Sequence, residues 1–201
     1  EIISTPRHQP SRPRNRYVYY PGTAEVPESV AVNIRGRSYT IAAGVTIDSR
    51  DAQGVLFAHG GVGGGHSLYI ADGRLHYVYN WLGDDVQKIS SGDPVPAGRH
   101  VFTAEFARDG EDTETKSALG TLTLYVDMDK VGQGRIKTQP GFFGLTGDGL
   151  CVGRDSGSPV SPDYSAPFHF TGGTIDRVII DVSGEHYVDH EKEVAAWIVR
   201  D

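Results

Sequence analysis

Cysteine is the first scarcity. Cys151 stands alone among 201 residues, so no disulfide forms within the chain, a multi-cysteine metal site is excluded, and the redox compartment stays open. Positive charge is short as well: 19 basic residues against 26 acidic ones leave a net charge of -7, a balance that repels nucleic-acid phosphates and anionic lipid. Neither is an expected partner. Long apolar runs are missing; none approaches the roughly 20 residues that span a bilayer. The opening stretch EIISTPRHQPSRPRNR has neither an initiating methionine nor the apolar centre of a signal peptide, and it reads as a piece of a longer chain whose targeting is not legible. Repeats of roughly 20–50 residues are also missing, which argues against a propeller. Helical periodicity is confined to DHEKEVAAWIVRD near the end, with Val194, Trp197 and Ile198 on one side.

What the sequence has in quantity is alternation. In SYTIAAGVTID, residues Tyr39, Ile41, Ala43, Val45 and Ile47 share a face; in VFTAEF, Phe102, Ala104 and Phe106 oppose Thr103 and Glu105. A period of two with one apolar side is the mark of a half-buried strand. GTLTLYVD (Leu122, Leu124, Val126) and TIDRVIIDV (Val178, Ile180, Val182) repeat it. HSLYIADGRLHYVYNWL is the clearest hairpin, joined at Asp72-Gly73, a pair that tolerates the positive φ of a two-residue turn. Its second strand puts Leu75, Tyr77, Tyr79 and Trp81 on one face, expected to be core. Weaker strands are expected at 54–59, 85–90, 130–136 and 149–155. Many short alternating strands separated by glycine and proline turns define an all-β chain, an antiparallel β-sandwich or jelly roll. The expected organisation is a linker or extended arm over 1–16, a strap packed on the domain over 17–36, the sandwich over 37–183, and a tail with a short helix over 184–201.

The most conspicuous local pattern is GGVGGGHS, residues 60–67. It has the spacing of a phosphate-cradling loop with His66 in the lysine position. Such a loop works by opening a helix whose amino end faces the phosphate, whereas here HSLYIADG opens a strand, and histidine is short and mostly neutral near pH 7. A flexible glycine connection between strands is the expected reading, with His66, and His59 before it, as candidates for a domain interface or an active-site rim. His186 and His190 stand four apart, a zinc-like spacing on a helix, but lack the glutamate and the third ligand. GRDSGSPVSPDY offers serines without the elbow of a hydrolase nucleophile. Asp148, Asp155 and Asp163 are candidate oxygen ligands for a structural calcium ion, with solvated loop charges as the alternative; no cofactor is required. Sandwich glycosidases carry carboxylate pairs, but Glu105 is the only glutamate placed inside a strand. Tyr69 and Tyr125 are candidates for stacking on a glycan.

Four blocks, YVYYPGTAEVPESVAVNIRGRSYTIAAGV, GVLFAHGGVGGGHSLYIADGRLHYVYNWLG, TLYVDMDKVGQGRI and VGRDSGSPVSPDYSAPFHFTGGTIDRVIIDV, together resemble the C-terminal domain of large bacterial, notably actinobacterial, arylsulfatases. The resemblance runs over about residues 17–185 and implies a concanavalin-like, laminin-G-like jelly roll appended to a sulfatase catalytic domain. The formylglycine motif C/S-x-P-x-R of that family is not matched here: Cys151 is followed by Val152, Gly153, Arg154 and Asp155, and in SRPRN at Ser11 the position of the arginine holds Asn15. No catalytic residue carries over. The resemblance therefore implies a non-catalytic sandwich that packs on the catalytic domain and shapes its active-site rim. A carbohydrate-binding module and an independent sandwich hydrolase are the alternatives. Expected partners are the catalytic domain, with a second copy of the chain or a glycan also open.

Overall fold

The computed structural model describes residues 14–143 and 148–183. Eleven strands appear in this order: β1 (Arg16–Tyr19), β2 (Tyr39–Ile47), β3 (Gly54–Gly61), β4 (Gly64–Ala71), β5 (Arg74–Trp81), β6 (Asp85–Ser90), β7 (Gly98–Glu111), β8 (Ala118–Val126), β9 (Asp129–Thr138), β10 (Leu150–Val152) and β11 (Gly173–Asp181). They form two antiparallel sheets, six-stranded β1-β11-β2-β7-β8-β9 and five-stranded β10-β3-β4-β5-β6. The expected sandwich is observed. The expected C-terminal helix, His186 and His190 lie outside the described residues.

Alternation decides which side chains face inward. Tyr39, Ile41, Ala43, Val45 and Ile47 of β2, Phe102, Ala104 and Phe106 of β7, and Leu122 and Leu124 of β8 are all buried. They meet Phe57, Leu68, Ile70, Leu75, Tyr77 and Tyr79 from the five-stranded sheet in one core. Burying each of these large side chains stabilises the fold by about 1.5–3 kcal/mol. The Asp72-Gly73 turn holds φ values of 50° and 70°, the left-handed pair that brings β4 and β5 into register. Four pairings carry a register shift; the one at Val55/Phe57 in β3 leaves Leu56 in the main core as well.

Residues 17–36 divide into a strand and a strap. Tyr17 pairs with Ile180 and Val18 with Ile179, so β1 is an edge strand of the six-stranded sheet. The rest crosses the open end between the sheets, with Val32 and Ile34 buried in the core. Val26 exchanges backbone hydrogen bonds of 2.9 and 2.8 Å with Leu150, and Tyr19 Oη accepts the Val32 amide at 3.0 Å. The strap therefore covers the β10 edge, which would otherwise present unpaired backbone groups.

The two sheets differ outside the core. Strands β3, β4 and β5 are buried on both faces almost throughout. Their outer face, Val55, Ala58, Tyr69 and Val78, packs under Val160, Tyr164 and Phe168 from the connection between β10 and β11. Among the described residues nothing covers the outer face of the six-stranded sheet in this way, and Val18 and Val101 on it are 44% and 43% exposed.

Candidate docking platform

Residues 60–65 form the glycine connection expected between strands, here a tight hairpin turn: Gly61 faces Gly64, Gly60 faces Gly65 and His59 faces His66 across β3 and β4. Four of the five glycines, Gly60, Gly61, Gly64 and Gly65, are steric necessities. Gly60 has φ +89°, and a Cβ there would lie 2.3 Å from the Gly64 carbonyl oxygen, a conformation and a contact that only glycine sustains. A Cβ on Gly61 would fall 2.4 Å from Asp148 and Ser158. The one side chain left at the tip is Val62, which is 59% exposed.

Two buried amides tie this turn to its neighbours. Asn80 Nδ2 donates to the carbonyls of Gly61, Val62 and Val160 at 3.3, 3.1 and 3.2 Å, and its Oδ1 accepts the Gly83 amide at 3.0 Å. Gln139 Oε1 accepts the Leu82 amide at 3.2 Å, while its Nε2 donates to Phe142 O at 2.6 Å. Ser158 Oγ accepts the Val62 amide at 3.1 Å and donates to Asp148 at 2.7 Å. Buried polar groups with all their partners in place rigidify what they join. The β3–β4 turn, the β5–β6 turn and the segment after β9 thus form one surface. From it project Val62, Leu82 at 50% exposure and Phe142 at 44%, with the Arg35 guanidinium 3.9 Å above the Phe142 ring.

His59 and His66 lie directly beneath, inside the sandwich, at 2% and 0% exposure. They do not reach the rim. Their ring centroids are 5.8 Å apart, and Phe143 closes over both at 4.8 and 5.2 Å. His66 Nδ1 shares a 3.1 Å hydrogen bond with Tyr77 Oη, which lies 2.6 Å from Tyr39 Oη. Among the described residues His66 Nε2 and both nitrogens of His59 have no hydrogen-bond partner. Burial pushes the His59 pKa down to about 3, with nearby Arg35 adding to the effect. Burial, then His59, holds His66 well below its ordinary 6.5. Both rings are neutral at pH 7. A cavity of about 10 Å³, lined by Glu28, Asn33, Arg35, His59 and Phe143, sits beside them; it has room for about one water molecule.

The remaining candidate residues are dispersed. Tyr69 is fully buried, its ring edge-on to Tyr164 at 5.1 Å, so no sugar reaches its face; the connection that covers β4 is not visible in the alternation of the strand. Tyr125 is half-buried on the open face of the six-stranded sheet, opposite Thr103. Asp148 bonds to Ser158. Asp155 accepts from Tyr164 Oη at 2.7 Å and the Val160 amide at 3.0 Å. Asp163 is held by Tyr69 and by Lys88 at 2.5 Å. Each aspartate serves its own partners, and among the described residues no three histidine, cysteine, aspartate or glutamate side chains converge as a metal ion requires. Cys151 is buried and its thiol pKa is pushed up by that burial, the reverse of what activates a thiol nucleophile.

A second concave surface lies on the open face, a groove of about 500 Å³ whose lining includes Arg16, Thr40, Glu105 and Asp181. Asp181 faces Thr40, and Thr40 faces Glu105. The carboxylate partner that the sequence did not supply for Glu105 thus stands two strands away in the same row.

Asn80, Gln139, Leu82 and Phe142 were not expected at a site. One signal was present: asparagine within YVYNW is a polar residue in an apolar strand, which must find hydrogen-bond partners when buried.

Two packed antiparallel sheets in this strand order make a laminin-G-like jelly-roll sandwich. The fold is similar to domains LG4-5 of the mouse laminin α1 chain, with a TM-score of 0.50 at 13% identity over 84% of this chain and 39% of that one. It is similar to the K499G mutant of NanB sialidase from Streptococcus pneumoniae, with a TM-score of 0.52 at 14% identity over 88% of this chain and 27% of that one. The chain spans about two fifths of the laminin fragment and about a quarter of the sialidase. No family model matches the sequence, and no curated protein matches it significantly.

Proposed function

We propose that this chain is a non-catalytic accessory sandwich, the C-terminal domain of an arylsulfatase, and that it packs on the catalytic domain through the platform of Val62, Leu82 and Phe142. The observation that carries the reading is the lacing of three separate turns by Asn80 and Gln139 around exposed apolar side chains. A rigid apolar centre with few charges is the composition of an interface core, and it costs little ordering entropy on association. The groups that project from the platform, Val62, Leu82 and Phe142, are apolar, and their contribution to association is burial. The sulfatase assignment rests on the four sequence blocks, and a role for the 60–66 turn at the active-site rim is supported by its place in the platform.

A glycan-binding role is the second reading. It is favoured by the groove on the open face, where Glu105, Asp181 and Thr40 present hydrogen-bonding groups at the spacing of neighbouring strands.

The coding sequence upstream of Glu1 tests the parentage: a C/S-x-P-x-R motif is expected there, and its absence ends the sulfatase reading. The surface is tested by changing Val62, Leu82 and Phe142 to aspartate together. Association with the upstream domain is expected to weaken by at least a hundredfold with the circular dichroism spectrum unchanged. Unaltered association overturns the platform, and specific micromolar binding in a glycan array that is lost in Glu105→Gln moves the function to the groove.

A further inference from the structure

The platform is clasped from below by one carboxylate. Glu28 Oε1 accepts the Phe143 amide at 2.6 Å, joining the strap to the segment that carries Gln139 and Phe142. Glu28 also lines the small cavity that His59 and Phe143 share. Among the described residues both ring nitrogens of His59 and one of His66 find no hydrogen-bond partner. An imidazole in that position is stable only while neutral. Once protonated it has two N–H donors, and a carboxylate lines the same cavity.

We propose that His59 and His66 form a proton-operated latch on the glycine-rich end. On acidification an imidazolium at His59 takes the Glu28 carboxylate from the Phe143 amide, and the strap and the 139–143 segment lift from the end of the sandwich.

The groups facing the pair set the balance. From the strap come Glu28, which lines the same cavity, and Arg35, which opposes a proton on His59. From β2 and β5 come Tyr39, Tyr77 and Tyr79, all held un-ionised by burial. From β10 comes Leu150, which faces His59, and from the segment after β9 come Gln139 and Phe143, which carry no charge. His66 faces His59 directly, so the first proton raises the cost of a second while the end stays closed. Opening relieves both costs together. Solvated histidine titrates near 6.5, so each ring that gains water on opening favours the open form by about thirtyfold at pH 5 relative to pH 8.

The consequence for docking rests on the platform reading above, whereas the opening itself is measured on the chain alone. Hydrogen exchange of the full chain, corrected for intrinsic rates, is followed from pH 8 to pH 5 at the amides of Leu82, Phe143 and Gly149, with Phe106 and Leu124 as core references. The platform amides are expected to lose protection at least thirtyfold while the core amides keep theirs. His59→Gln is expected to flatten the pH dependence, and Glu28→Ala, which removes the acceptor of the Phe143 amide, to open the end already at pH 8. Parallel loss at platform and core, or platform protection independent of pH, overturns the latch; the wild-type measurement decides this even if a variant fails to fold. If the end opens on acidification and association with the upstream domain does not change, the docking reading fails and the latch stands.

Discussion

The two sheets share a core and differ on their backs. In the five-stranded sheet β3, β4 and β5 are buried on both faces, because the connection between β10 and β11 folds back over them and sets Val160, Tyr164 and Phe168 on Val55, Tyr69 and Val78. The six-stranded sheet keeps a solvent face of threonines, small residues and charged groups. The same alternation thus yields two environments, and what separates them is a loop some hundred residues further along the chain than the strands it covers. A tyrosine on the back of β4 is structural; one on the back of β8 is available. Residue type does not distinguish the two.

Substitution sharpens that contrast. Tyr69→Ala removes a fully buried ring and its hydroxyl contacts, and it is expected to cost about 3–5 kcal/mol in urea unfolding. Tyr125→Ala, with the same chemistry on the open face, is expected to cost less than about 1 kcal/mol. Equal losses would mean that the open face is covered in solution.

Gly60→Ala forces a Cβ onto the Gly64 carbonyl at a positive φ, with an expected loss of about 2–3 kcal/mol. The loss should be centred on the β3–β4 turn, as read by amide shifts. Protonation of the buried histidines acts on the whole fold as well as on its end. His59 takes up a proton near pH 3 when folded and near 6.5 when unfolded. The unfolded chain therefore binds more protons below pH 6.5, and stability falls from there towards pH 3. By pH 5 the loss from His59 alone is about 2 kcal/mol, measurable as a lower denaturation midpoint than at pH 8. Smallest of all, Glu105→Gln on the open face is expected to stay within about 0.5 kcal/mol of the parent, which makes it a clean probe of binding in the groove.

Much of this was legible in the residues. The alternating faces of β2, β7, β8 and β11, the turn at Asp72-Gly73 and the aromatic inner face of β5 all follow from a period of two and from turn chemistry. The similarity to sandwich domains was legible for the same reason. The site was less so. His59 and His66 were visible as residues but not as interior ones, because the apolar environment of β3 and β4 comes from partners distant in sequence. Tyr69 was misplaced for the converse reason: alternation tells which side a residue takes and not whether that side is covered. Asp148, Asp155 and Asp163 are near in sequence yet serve three separate sets of hydrogen bonds. Asp181 and Glu105 became neighbours only through the strand order. Asn80 alone announced itself, as a polar residue where only a fully partnered one survives.

The glycine-rich turn has a consequence for how this end of the molecule can diverge. Between His59 and His66, a Cβ on Gly60, Gly61, Gly64 or Gly65 would press on main chain or on packed side chains, whereas at Gly63 it would meet nothing within 4 Å. Val62 and Gly63 are therefore the two letters of the turn open to rewriting. A partner of different shape could be accommodated there, together with Leu82 and Phe142, without asking the hairpin to find a new backbone.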